Sequence, residues 1–118
     1  MGSGLMASCE CGFSSLVGVG GGMANHTTFC TFPCFCERCH SMVQVNLLEK
    51  VLECPECHST NVTPYDDPRL SESPGESVVT SWNMQEQLGR ELVLTDAKYK
   101  CPKCGRMSLA FRLTMVWD

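Results

Sequence analysis

Cys36-Glu37-Arg38-Cys39 and Cys54-Pro55-Glu56-Cys57 each set two cysteines three positions apart, and 14 residues lie between the pairs. Two Cys-x-x-Cys hooks facing each other present four sulfurs to one centre. That is the donor set of a closed tetrahedral metal site, and four thiolates suit zinc. Pro55 fixes φ within its hook and leaves the following backbone N–H groups free to point at sulfur. The competing reading is four ordinary buried thiols. Between the hooks, Met42-Val43-Gln44-Val45-Asn46-Leu47-Leu48 places Val43, Val45 and Leu47 on one face, which predicts a half-buried strand. Asn61-Val62-Thr63-Pro64-Tyr65 reads as a second, shorter strand.

A third hook, Cys101-Pro102-Lys103-Cys104, lies far downstream and is followed by the clearest strand pattern in the chain. Leu109, Phe111, Leu113, Met115 and Trp117 alternate with Ser108, Ala110, Arg112, Thr114 and Val116. Strict period two predicts one large apolar face against a core. The downstream hook needs a partner pair, and Cys9-Glu10-Cys11-Gly12 supplies one, so the second expected ligand set is Cys9, Cys11, Cys101 and Cys104. This pairing closes a loop of about 90 residues, where a crosslink restricts the unfolded chain strongly. Cys30 and Cys34 remain, with His26, His40 and His58. One alternative substitutes Cys30 or Cys34 for Cys9 or Cys11, and another builds a third site from His26, Cys30, Cys34 and His40. Against both, Phe29, Phe32, Pro33 and Phe35 flank the two cysteines and favour small apolar core residues.

Residues 36 to about 63, and again 101 to 117, resemble the zinc ribbons of the rubredoxin-like class. The resemblance implies a small, mostly-β fold of antiparallel hairpins stapled by two tetrahedral metal sites. Zinc is the implied metal, with two ions expected, and iron is the alternative because rubredoxins hold iron in similar hooks. His40 and His58 follow the first-site hooks where such knuckles usually carry glycine.

The chain has 118 residues, 10 of them cysteine, with a formal charge of −4. That length allows one domain or two very small ones, and metal crosslinks add stability that a core of this size supplies only in part. Met1-Gly2-Ser3-Gly4-Leu5 reads as an expression scar, residues 6–118 as a single compact domain and 66–76, rich in Pro, Ser and acid, as an exposed linker. Val78-Val79, a helical turn around Met84 to Leu88 closed by Gly89, and a short strand at Leu92-Val93-Leu94 complete the expected elements. The glycine cluster Gly18-Val19-Gly20-Gly21-Gly22 lacks the Lys-Ser/Thr of a phosphate loop and reads as a flexible turn. With no signal-peptide pattern and no apolar run of membrane-spanning length, the expectation is a reducing cytoplasm, thiolates held by metal and no membrane contact.

A dication bound by four thiolates carries net −2, so two filled sites take the chain to about −8. Bulk attraction to nucleic acid is not expected at that charge. The distribution is uneven, however: Lys98, Lys100, Lys103, Arg106 and Arg112 lie in a stretch without acids, while 49–76 is acidic. Lys98, Lys100, Lys103 and Arg106 either balance the nearby thiolates or form a nucleic-acid contact, with Tyr99, Phe111 or Trp82 available to stack. Catalysis is not expected. Closed four-thiolate sites lack a position for water, no His-x-Glu precedes a Pro-Cys-x-x-Cys hook, and no βαβ setting supports Cys-x-x-Cys redox chemistry. The reading is a structural metal protein that serves as a protein-interaction module or small adaptor subunit. The alternatives are a nucleic-acid-binding ribbon and an iron electron carrier.

Overall fold

In the computed structural model, residues 2–20, 30–49, 51–72 and 75–117 are described. Among the described residues nine strands dominate: β1 (Gly2–Cys9), β2 (Ser14–Gly20), β3 (Thr31–Cys36), β4 (Ser41–Asn46), β5 (Val62–Pro64), β6 (Val78–Met84), β7 (Arg90–Thr95), β8 (Tyr99–Lys100) and β9 (Met107–Trp117). A one-turn helix α1 (Gln85–Leu88) ends on Gly89 in the left-handed region, as its sequence predicts. The protein is thus small and mostly β, with antiparallel pairing throughout.

The main sheet runs β4-β3-β2-β1-β9-β8, with β5 also on β3; β6 and β7 form a separate hairpin. It divides into two lobes. In one, β1 is paired along its length with β2 on one side and β9 on the other. In the other, β3 is paired along its length with β4, and with β5 from Cys34 to Cys36. Among the described residues, the strand pairing that joins the lobes is Gly20↔Thr31. Packing joins them more firmly. Tyr65, just after β5, meets Tyr99 and Phe111 edge to face, with ring centroids 5.0–6.2 Å apart among the three. The Tyr65 hydroxyl donates to the Lys100 carbonyl at 2.9 Å, so this buried phenol is satisfied across the lobes. Leu5, Ala7, Val17, Val19, Phe32, Val43, Val45, Leu47 and Leu109 complete the core around these rings.

Several expectations change in three dimensions. The period-two pattern of β9 is correct for a strand, but among its described apolar side chains the face is buried only at Leu109 and Phe111, and the Trp117 side chain lies outside the described ones. Leu113 and Met115 are 46% and 58% exposed, because the ring cluster that covers the strand reaches no further than Phe111. Gly18, Val19 and Gly20 lie in β2 rather than in a turn, while Gly21 and Gly22 fall outside the described residues. Gly2–Leu5, read as appended, lie in β1 and pair with both β2 and β9. Gly4 is needed there for close approach: a Cβ would stand 2.6 Å from Met115 Cγ. The segment 66–76, expected as an exposed linker, is exposed at Pro68, Arg69, Glu72 and Glu76 and held at other points. Leu70 is buried in a 3-10 turn, Ser71 bridges Tyr99, Glu72 N–H donates to Lys98 O, and Asp66 pairs with Arg90 at 2.9 Å.

Candidate metal centres

Two groups of four cysteines converge, Cys36, Cys39, Cys54 and Cys57 in one, Cys9, Cys11, Cys101 and Cys104 in the other. Within each group the sulfurs all lie within 4.8 Å of one another. Across the first group, Cys36 Sγ is 3.6 Å from Cys57 Sγ and Cys39 Sγ is 3.8 Å from Cys54 Sγ. Across the second, Cys9–Cys104 is 3.7 Å and Cys11–Cys101 is 3.6 Å. Four sulfurs held about 2.3 Å from a common ion in a tetrahedron stand about 3.8 Å apart. The measured separations fit that figure and are far too long for disulfides. Both sets can therefore hold a metal ion.

The strands place the hooks. β3 ends on Cys36 and β5 starts soon after Cys57; β1 ends on Cys9, Cys101 follows β8, and Cys104 precedes β9. The β1–β9 register, which sets Cys9 opposite Leu109, brings together cysteines 90 and 95 residues apart. The two Pro-containing hooks fold alike. Cys54 N–H donates to Ser59 O and His58 N–H to Cys54 O, each at 2.9 Å. Cys101 N–H donates to Arg106 O and Gly105 N–H to Cys101 O, again at 2.9 Å.

Every hook is followed by a left-handed residue: Gly12 at φ 100°, His40 at 50°, His58 at 59° and Gly105 at 75°. The two histidines that depart from the ribbon pattern thus keep its backbone, at the steric cost a Cβ imposes there. They also explain what these side chains do. His40 packs edge-on to Phe35, with ring centroids 6.5 Å apart, and His58 Nδ1 lies 3.4 Å from Glu53 Oε1; neither joins a sulfur cluster.

Electrostatics separates the sulfurs within each set. In the first, the neighbouring Cys57 thiol and burial push Cys39 up to about 12, and burial raises Cys36. Burial also opposes ionisation of Cys54, but the N–H groups of Cys57 and Glu56 outweigh it and bring Cys54 down to about 7. In the second, the Arg106 N–H brings Cys104 down to about 6 against burial, the Cys11 N–H and then the Ser108 hydroxyl lower Cys9, and burial raises Cys101 to about 12. Four adjacent thiolates repel one another, so full ionisation of either set calls for a cation at its centre. Ser108, four residues beyond Cys104 on β9, was not singled out from sequence. Its Oγ lies 2.9 Å from Cys9 Sγ and 3.8 Å from Cys104 Sγ, where it supports both sulfurs. A serine alternating outward on a strand carries no such signal until the β1–β9 pairing is known.

Cys30 and Cys34 are buried and, among the described residues, join neither cluster. Cys34 Sγ donates to Phe32 O at 3.6 Å, and burial raises the two thiols to about 11 for Cys30 and about 12 for Cys34. His26 lies outside the described residues. Of the basic residues near the second centre, Lys98, Lys103 and Arg106 are exposed. Lys100 instead sets its Nζ 5.0 Å from the Phe35 ring centroid. Tyr99 and Phe111, named as stacking platforms, are buried in the core. No described helix is long and apolar enough to cross a membrane. No family model matches the chain, and neither a curated protein nor a solved structure matches it.

Proposed function

We propose that the protein is a non-catalytic, zinc-stapled interaction module or small adaptor subunit of the cytoplasm. The carrying observation is that both candidate centres are complete four-thiolate sets, which leave no ligand position for water or substrate. Four sulfurs and no oxygen donor favour zinc as the resident ion, with each ion supplying folding energy rather than reactivity. Burial of Tyr99 and Phe111 removes two of the ring faces on which bases would stack, which supports a protein partner over nucleic acid.

Native mass spectrometry of the purified chain tests the first part: two zinc equivalents are expected. A visible iron chromophore in the purified protein would instead support electron transfer. Exposed Lys98, Lys103 and Arg106 keep nucleic-acid binding as the second reading. Retention of single- or double-stranded nucleic acid at low salt, lost on replacing these three, would decide for it.

A further inference from the structure

The two edges of the main sheet are treated differently. At β8, Ser71 bridges Tyr99 and the Glu72 N–H donates to Lys98 O at 3.0 Å, so chain 70–72 covers that edge. At β4 the outward side is paired with no described strand. The register shows which groups face out. Gln44 stands opposite Pro33, which has no N–H, and the Pro33 carbonyl is already taken on its far side by Tyr65 N–H at 3.1 Å. That pair is the non-hydrogen-bonded kind, so Gln44, and by period two Met42, turn their backbone N–H and C=O away from β3. Ser41–Asn46 contains no Lys, Pro or other residue of the type that blunts an open edge.

A groove of about 290 Å³ runs beside this edge. Gln44, Val45 and Asn46 line it from the strand, and Glu49, Val51 and Glu53 from the chain that returns to the second hook. Val51 is 63% exposed, and Glu49 and Glu53 are exposed. Over residues 49–56, Glu49, Glu53 and Glu56 outnumber Lys50, and a dication in the adjacent four-thiolate centre adds about −2.

We propose that β4 is a docking edge for an extended basic segment of a partner protein, added as a strand antiparallel or parallel to Met42–Gln44. Its alternate side chains are apolar against Val51 and Lys or Arg against Glu49 and Glu53. Strand addition obtains affinity from the backbone and specificity from alternate side chains. A second copy of this chain does not suit the site. Pairing β4 with β4 brings two acidic grooves together, and the covered β8 edge cannot join β4 head to tail. The inference rests on the interaction-module reading and names its surface and the class of its partner.

The test is titration of ¹⁵N-labelled, metal-loaded full chain with a capped peptide of alternating valine and lysine, and with a proline–lysine peptide of equal charge. The expected result is chemical-shift change centred on the Met42 and Gln44 amides for the valine peptide alone. A Glu49→Gln/Glu53→Gln variant should bind about ten-fold more weakly. Met42→Pro, which removes one outward N–H and is tolerable at an edge, should abolish binding. Retained metal content shows that each variant is folded, and the carboxamide pair tests the site without touching the backbone. Shifts elsewhere, no binding, equal binding of the proline peptide, or self-association that Met42→Pro dissolves would overturn the docking edge. The interaction-module reading stands or falls separately, on two closed metal sites and the absence of nucleic-acid retention.

Discussion

The two lobes hold chemically similar centres by opposite means. The β3–β4–β5 lobe is built from one contiguous stretch, and its crossing pair Cys39–Cys54 is 15 residues apart. The β1–β2–β9 lobe joins the two ends of the described chain, and Cys11–Cys101 spans 90 residues. Loop-closure entropy grows by about 0.6 kcal/mol per doubling, so with both centres filled the longer crosslink would remove about 1.5 kcal/mol more from the unfolded ensemble. More important, it holds β1 against β9, the most extensive pairing in the sheet. The near centre organises a neighbourhood, whereas the far centre organises the molecule.

On the proposed metal-loaded reading, the severest test removes both ions. A strong chelator should abolish the cooperative thermal transition, because a structural ion contributes on the order of 10 kcal/mol. A chelated sample melting as before would refute the structural role. Next, Cys101→Ser should collapse the whole fold, while Cys57→Ser should expose β3–β5 and leave slowly exchanging amides in β1 and β9. Hydrogen exchange that shows equal loss of protection in the two variants would erase the distinction between lobes. Neither should resemble Cys30→Ser, which should keep two metal equivalents and lose about 1–3 kcal/mol by burying a hydroxyl.

Acid should separate the centres more gently. Protons compete with metal for the same sulfurs, so affinity falls as pH falls. Cys9 and Cys104 are both lowered, Cys104 to about 6, whereas in the other set Cys54 is lowered to about 7 while Cys36 and Cys39 are raised. The Cys9 set should therefore keep its ion to lower pH, and a Ser108→Ala variant should narrow the gap; simultaneous release by mass spectrometry would count against this. The smallest effects lie at the knuckle ends. His58→Gly should raise stability by about 0.5–1 kcal/mol by relieving a Cβ at φ 59°, and Gly105→Ala should lower it by about 1 kcal/mol at φ 75°. Denaturant melts that show both changes with the same sign would break the equivalence of the two Pro-containing knuckles.

Much of the architecture was legible from particular residues. The hooks at 36–39 and 54–57, a strand within 42–48 (found as Ser41–Asn46), the turn closed by Gly89 and the strand beginning near Ser108 all carry their signals within a few positions. The pairing of Cys9 and Cys11 with Cys101 and Cys104 was expected as well, but Cys30 and Cys34 competed for the role. Spacing cannot choose between thiols 70 and 90 residues from their partner. Other readings failed for one shared reason. Leu113 and Met115 have the pattern of core residues and Gly18–Gly20 that of a turn. In each case the outcome depends on what another part of the chain places beside them.

The sequence by itself determined the ligand chemistry, the knuckle conformation and the strand periodicity, because metal–sulfur geometry, left-handed φ and the pleat act over a handful of residues. Tertiary structure alone decided between Cys9 and Cys11 and the competing Cys30 and Cys34, where the β9 face stops being core, that Ser108 reaches Cys9, and which edge of the sheet stays open. These depend on faces meeting across the chain, through the β1–β9 register and the Tyr65–Tyr99–Phe111 cluster. No local pattern encodes that meeting.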